Sequence, residues 1–412
     1  MPASRPRKLL RNGVLLAVGI LAVAGFVFRD EIQGIIYARA LLMALAPERI
    51  DETFRSMHEQ SPSHVARNQG KVLTLEKSLM KEPLPVTFIW KDEVRDSRKL
   101  LVDTQTTGLV ILHEGKLVYE SYDRGNVESS PAIQMSVGKT YTSFLIGTLL
   151  DSGAITSKTD LIENYVPGVR GTAFEGVTIE DLLDMASGIR WVEDIGDPSS
   201  ELFRSVVATA TGKHQEFIAS LERIEKPGTF HRYATGNMYP LTKLVEAASE
   251  QPFREYFETM LLTGIGAEFP AYLRDDDAMP AVAVRDMARF GQLYLDGGRN
   301  LAGDQVISEA WTKVSTRPDK PMLMPGADNP LSSSHHGYKH LWWVPVEWDE
   351  DYVALGIYGQ FIYVSPKHST VIAKTSAYQN EFEDGGWRMQ ETVALFQQTA
   401  RHLSSRKMAT LP

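Results

Sequence analysis

The chain has 412 residues, with 43 Lys+Arg against 52 Asp+Glu, a formal charge of −9, 43% hydrophobic residues and no Cys. That much apolar material supports one large or two modest domains and rules out wholesale disorder. Zero Cys excludes a disulfide framework, a thiolate zinc site, an iron–sulfur cluster and a Cys nucleophile. The acidic balance argues against a nucleic-acid partner, because phosphate neutralisation needs a basic surface.

The first residues carry Arg5, Arg7, Lys8 and Arg11 and no acid before the uncharged apolar run from Gly13 to Phe28. As a helix that run spans ~24 Å, a little short of a ~30 Å hydrocarbon core. Residues 1–30 therefore read as a signal-anchor or transmembrane segment, with the basic end cytoplasmic and the bulk exported. Ala22-Val23-Ala24 offers the alternative of a cleaved signal and a secreted or periplasmic protein. Residues 31–85 read as a juxtamembrane or packing helix (Ile35 to Ala46, stopped at Pro47) followed by a polar connector that packs in part on the domain.

Residues 86–405 read as one domain. Thr107 to Tyr122 predicts a hairpin around Glu114-Gly115. Met135 to Leu150 predicts a helix with Phe144, Leu145, Leu149 and Leu150 at helical spacing. Thr178 to Met185 predicts a short helix with a Thr cap and an acid three residues on. Helices are expected at Tyr239 to Glu250 and Val284 to Leu295. Strands are expected at Tyr352–Leu355, Gly359–Val364 and Thr370–Thr375, and a last helix from Trp387 to about Leu403. Strands at both ends around a helical middle suggest one antiparallel sheet with a mostly helical second lobe.

The chemistry centres on Ser136. Ser136-Val137-Gly138-Lys139 fits S-x-x-K, which puts a hydroxyl at a helix N-terminus and an amine one turn along the same face. A Ser needs such a neighbour to become a nucleophile. The pattern occurs three times, at Ser78–Lys81, Ser136–Lys139 and Ser404–Lys407. Only the Ser136 copy opens a long buried helix. A Lys so near a helix N-terminus also opposes the dipole, so it has a use other than solvation. Gly138-Lys139-Thr140 lacks the first glycine of a phosphate loop, since residue 133 is Ile133. No Gly-x-Ser elbow occurs. His335, His336 and His340 sit beside a Ser run and read as a surface loop rather than a metal site.

The Ser136–Lys139 helix, then Asp181-Leu182-Leu183-Asp184-Met185-Ala186-Ser187-Gly188, then Tyr233-Ala234-Thr235-Gly236-Asn237, resemble the serine β-lactamase/penicillin-binding superfamily. The class C-like branch with esterases and 6-aminohexanoate-dimer hydrolases is the most similar. ILHEGKLVYE, RDMARFGQLYLDGG and GQFIYVSP support the resemblance from about residue 86 to 400. It implies an α+β (α/β sandwich), β-lactamase-like fold, here with an N-terminal transmembrane helix. It also implies an exported serine hydrolase that cleaves esters or amides through an acyl-enzyme, with no cofactor and no metal.

In that scheme Ser136 is the nucleophile and Lys139 and Tyr233 are the proton-transfer groups. A free Tyr, pKa ~10, is only ~0.1% phenolate at pH 7, and an adjacent Lys⁺ lowers the cost of ionising it. The backbone N–H groups of Ser136 and Ile357 form the oxyanion hole, and Gly356 lets backbone approach closely. Thr235 orients Lys139 or the substrate. Trp191 and the Trp342-Trp343 pair read first as core packing, with walls of a substrate pocket as the alternative. No Lys-Thr-Gly is present; Lys374-Thr375-Ser376 imitates it one strand too late. Ala354 stands where penicillin-processing relatives place a cation, which favours substrates without that carboxylate. The expected partners are a small ester, amide or peptide substrate and the membrane. The alternatives are a D,D-peptidase or β-lactamase acting on peptidoglycan-type substrates, and a non-catalytic envelope binding protein.

Overall fold

The structure is a computed structural model that describes residues 34–36, 39–40, 43–60, 63–274, 279–326, 328–379 and 386–410. Helix α1 (Ile50–Gln60) is followed by strand β1 (Ser63–Ala66) and a side hairpin of β2 (Thr87–Trp90) and β3 (Glu93–Asp96). Two elements of the expected connector thus join the packed body. β1 pairs with a later strand, and Ile50 and Phe54 of α1 are buried against the middle of the chain.

The expected hairpin forms as β4 (Thr106–His113) and β5 (Lys116–Tyr122). Glu114 and Gly115 both take positive φ, 51° and 73°, the tight reversal that matches strand twist. β6 (Pro131–Ile133) leads into helix α2 (Val137–Asp151), which is buried from Val137 to Leu149. Val137, Tyr141, Phe144, Leu145, Ile146 and Leu149 join the main core. Each large apolar side chain contributes roughly 1.5–3 kcal/mol when fully buried. Helix α3 (Ile179–Leu183) is capped as expected, the Thr178 Oγ accepting from the Asp181 N–H at 3.0 Å. Helix α4 (Met238–Ser249), strands β7 (Ala271–Arg274) and β8 (Ala281–Ala283), and helix α5 (Val284–Leu295) complete the middle.

The chain then returns to the sheet through β9 (Gly337–Lys339), β10 (Trp342–Val344), β11 (Tyr352–Gly356), β12 (Gln360–Ser365) and β13 (Thr370–Ser376), and ends in helix α6 (Trp387–Thr410). The large sheet runs β5-β4-β13-β12-β11-β10-β9, with every pair antiparallel. Alternate residues face two cores. Ile362, Val364, Val371 and Ala373 pack against α5 and the helical lobe, whereas Phe361, Tyr363 and Ile372 pack against α6. A second sheet, β1-β7-β8-β6, carries β6 up to Ser136.

The α+β expectation therefore stands, and its transmembrane part is corrected. Among the described residues no helix is long and apolar enough to cross a membrane. The run from Gly13 to Phe28, on which that expectation fell, lies outside the described residues.

Candidate active site

Ser136 sits where β6 turns into α2. It is half-buried, and the preceding Met135 holds φ at 47°. Left-handed backbone at a bulky residue costs about 1–2 kcal/mol, and strain of that kind concentrates at functional sites. The helix phase brings Lys139 back over the hydroxyl: its Nζ donates to Ser136 Oγ at 2.9 Å. Lys139 is only 5% exposed, so its charge acts with little solvent screening. Its Nζ also lies 5.1 Å from the centroid of the Tyr233 ring. Ser136 and Lys139 meet as their spacing predicts, and Tyr233 lies beside them, as the family resemblance implies.

The loop that presents Tyr233 is tied to the segment Asp181–Gly188. The Arg232 N–H donates to the Met185 carbonyl at 2.9 Å, and the Gly228 N–H to the Ala186 carbonyl at 2.8 Å. Ser187 Oγ donates to the buried Asn237 Oδ1 at 2.7 Å, just past the tyrosine. Gly188 holds φ 78°, and a Cβ there would lie 2.1 Å from the Glu225 carbonyl oxygen. The motif thus scaffolds Tyr233 rather than reacting. Thr140 on α2 donates through Oγ1 to the Leu341 carbonyl at 2.9 Å, and the Leu341 N–H reaches Leu183 at 3.0 Å. One short chain of bonds locks α2, the β9–β10 turn and α3 together.

Tyr233 is framed by aromatics. Trp343 stacks on it with centroids 5.1 Å apart, and Tyr338 meets it edge-on at 6.2 Å. Burial, together with the nearby Tyr233, Asp184 and Glu193, raises the Tyr338 phenol well above its ordinary range, so it stays protonated. His231 and His336 pack around the same pair, and burial lowers each to a pKa of about 4. The frame is uncharged near neutral pH. Trp342 points the other way into the core, stacked on Phe290 at 6.1 Å. The expected tryptophan pair therefore splits into one residue stacked on Tyr233 and one core residue.

β11 delivers the remaining backbone. A Cβ on Gly356 would lie 2.5 Å from the Gln134 carbonyl oxygen, so only glycine permits the strand end to come this close to the neck of Ser136. Ile357 follows and packs in one small cluster with Met135, Phe54 and Tyr358. Among the described residues no acceptor is found for the N–H of Ser136 or of Ile357. Unpaired main-chain donors at a half-buried position are uncommon, and here there are two.

Thr235 and Trp191 fall elsewhere. The Thr235 N–H donates to Glu193 at 3.1 Å and its hydroxyl donates to the same carboxylate, rather than to Lys139. Trp191 is buried against Gly236 and Phe217, with its ring N–H donating to Glu193. Both support the tyrosine loop from below. Ala354 is buried in β11 and brings no charge. Lys374 and Ser376 are fully buried on β13, where Lys374 Nζ donates to Ser376 Oγ.

The group most like a metal-ligand set is Glu180, Asp184 and His340, whose ligand atoms lie within 4.8 Å of one another. Three ammonium groups already occupy this cluster. Lys339 Nζ reaches Glu180 and Asp184, each at 3.2 Å, Lys320 reaches Asp184 at 2.9 Å, and Lys158 pairs with Glu180. A further cation would be repelled, and the cluster fits a buried ion network joining α3 to β9. The expected surface loop is thus partly interior, since His340 is fully buried and His336 half-buried.

Comparison with known proteins fits this geometry. The beta-lactamase family's sequence profile matches residues 98–394. The chain belongs to the beta-lactamase family. As a member it is a serine hydrolase acting on amide or ester bonds. It is 26% identical over 298 residues to a 6-aminohexanoate-dimer hydrolase of Paenarthrobacter ureafaciens, covering 69% of this chain and 75% of that one. A solved Bacillus anthracis structure, provisionally assigned as a 6-aminohexanoate-dimer hydrolase, superposes with TM-score 0.75 at 22% identity, over 88% of this chain and 96% of that chain. A penicillin binding protein from Bacillus halodurans gives TM-score 0.53 at 14% identity, over 70% of this chain and 99% of that one.

Proposed function

We propose that this hydrolase cleaves ester or linear amide bonds through an acyl-enzyme on Ser136, with Lys139 and Tyr233 moving the proton. The observation that carries this is the Lys139 ammonium, 2.9 Å from the Ser136 hydroxyl and 5.1 Å from the Tyr233 ring centroid. Tyr233, with the Lys139 ammonium beside its ring, takes the Ser136 proton as Oγ bonds to the substrate carbonyl carbon. The Ser136 and Ile357 N–H groups donate to the oxyanion that develops there. Tyr233 then protonates the leaving alkoxide or amine, and the C–O or C–N bond breaks. Water attacks the ester on Ser136 with Tyr233 again as base, releasing the acid and restoring the hydroxyl.

The uncharged Ala354 favours substrates without a carboxylate at the position penicillins need. The relative that acts on 6-aminohexanoate dimers makes linear amides a natural class to test. A turnover panel of p-nitrophenyl esters, linear amides (6-aminohexanoate dimer included) and penicillins decides the matter. Esters and linear amides should exceed penicillins in kcat/KM; rapid penicillin turnover would remove the role given to Ala354. The basic-then-apolar N-terminus and the lack of Cys support action outside the cytoplasm. Fusion to an export-dependent reporter checks it: an inactive reporter contradicts export.

A further inference from the structure

We propose that Gln360 is a positioning residue that aims the Ile357 N–H into the cleft through two peptide units in series. This rests on Ile357 being an oxyanion donor, and an Ile357→Pro variant separates the two ideas. Gln360 is fully buried at the start of β12. Its Nε2 donates to the Ser376 carbonyl at 2.7 Å and to the Tyr358 carbonyl at 3.3 Å, and its Oε1 accepts from the Ser376 N–H at 3.4 Å. The Tyr378 N–H gives the Tyr358 carbonyl a second bond at 3.0 Å. The side chain therefore fastens the β11–β12 turn to the end of β13.

The consequence follows from peptide planarity. The Tyr358 carbonyl and the Gly359 N–H belong to one rigid plane. That N–H donates to the Gly356 carbonyl at 3.2 Å. The Gly356 carbonyl and the Ile357 N–H form the next plane and point in opposite directions. Fixing the Tyr358 carbonyl thus fixes the Ile357 N–H. The clamp is needed because Tyr358 holds φ 66°, which a bulky residue leaves readily. If that residue relaxed, the 358–359 plane would rotate and the bond that aims the 356–357 plane would break.

Three proteins test this: wild type, Ile357→Pro and Gln360→Met. Proline suits the position, because a turn with Tyr358 at positive φ and a Gly359-to-Gly356 bond has the type II pattern, which accepts Pro at its first central residue. It deletes the donor and keeps the turn. The readout is the kcat/KM ratio between a p-nitrophenyl ester and its thiono counterpart, whose sulfur is a poor acceptor for donors set for oxygen. The infrared carbonyl band of the trapped acyl-enzyme is a second readout.

Ile357→Pro should cut ester kcat/KM about 10²- to 10³-fold and bring the ratio towards one. Gln360→Met should lower kcat by roughly 10- to 100-fold with KM nearly unchanged. It should also give an intermediate ratio and an acyl carbonyl band at higher wavenumber. Gln360→Glu, which keeps the length and loses the amide donor, should move both readouts the same way. If Ile357→Pro leaves the ratio at the wild-type value, the oxyanion assignment fails and takes the role of Gln360 with it. If Ile357→Pro collapses the ratio while both Gln360 variants keep it, only the role of Gln360 is overturned. A lowered Tm with an unchanged ratio overturns it in the same way.

Discussion

Ser136 with Lys139 and Ser376 with Lys374 are two serine–lysine pairs in one molecule, each joined by an ammonium-to-hydroxyl bond. The first lies at the N-terminus of α2, half-buried, with Tyr233 over its lysine and an unpaired N–H on its serine. The second lies at the end of β13, fully buried, with the Phe361 ring 5.4 Å from its lysine. Its Ser376 main chain is occupied by the Gln360 side chain in both directions. The difference teaches that a lysine beside a serine is not enough. The hydroxyl must be reachable, a third group must accept its proton, and main-chain donors must remain open to the developing charge.

The largest break in that comparison is removal of each hydroxyl. Ser136→Ala should lower ester turnover by about four to six orders of magnitude, while Ser376→Ala keeps labelling by a phosphonate probe; equal losses in the two variants would erase the distinction. Next come the two residues proposed to move the proton. Lys139→Ala and Tyr233→Phe should each cost roughly 10²- to 10⁴-fold in kcat with circular dichroism unchanged; near-normal turnover in either removes that residue from the mechanism.

Smaller again is the effect of the aromatic frame around Tyr233. Trp343→Leu removes the stack on Tyr233 and should lower kcat by about 2- to 10-fold, measured against an unchanged Ser136 labelling stoichiometry. The smallest effect concerns pH and stability. His231 and His336 titrate near 4 in the fold against an ordinary 6.5, because burial disfavours their charged forms. The unfolded chain therefore binds more protons between those values, and stability falls as pH drops from about 6.5 towards 4. Each site is worth on the order of 3 kcal/mol across that window. Urea denaturation from pH 7 to pH 4 should show the decline, flattened in His336→Gln; an equally steep decline in that variant contradicts the assignment.

Much of this was legible locally. The S-x-x-K helix, the Thr178 cap, the Glu114-Gly115 reversal and the three last strands each follow from short-range patterning, and they formed within two residues of expectation. Tyr233 is legible through the family resemblance carried by Tyr233-Ala234-Thr235-Gly236-Asn237. What escaped depends on distant partners. α1 sits in a polar stretch, and only the burial of Ile50 and Phe54 beside Tyr358 shows its purpose. Thr235 turned to Glu193, a residue with no motif around it. Buried His340 and half-buried His336 look like loop residues in sequence because their Ser-rich neighbours hide the aromatics that pack on them. Gln360 lies in a stretch that supports the resemblance, but nothing in sequence shows its role, since its partners are main-chain groups of Tyr358 and Ser376.

The most direct measurement is mass spectrometry of the intact protein quenched during ester turnover, followed by peptide mapping. One acyl group per chain on the peptide containing Ser136, absent in Ser136→Ala, is the predicted result. Folded wild-type protein that turns over ester with no acyl adduct, or an adduct on another residue, would contradict the account.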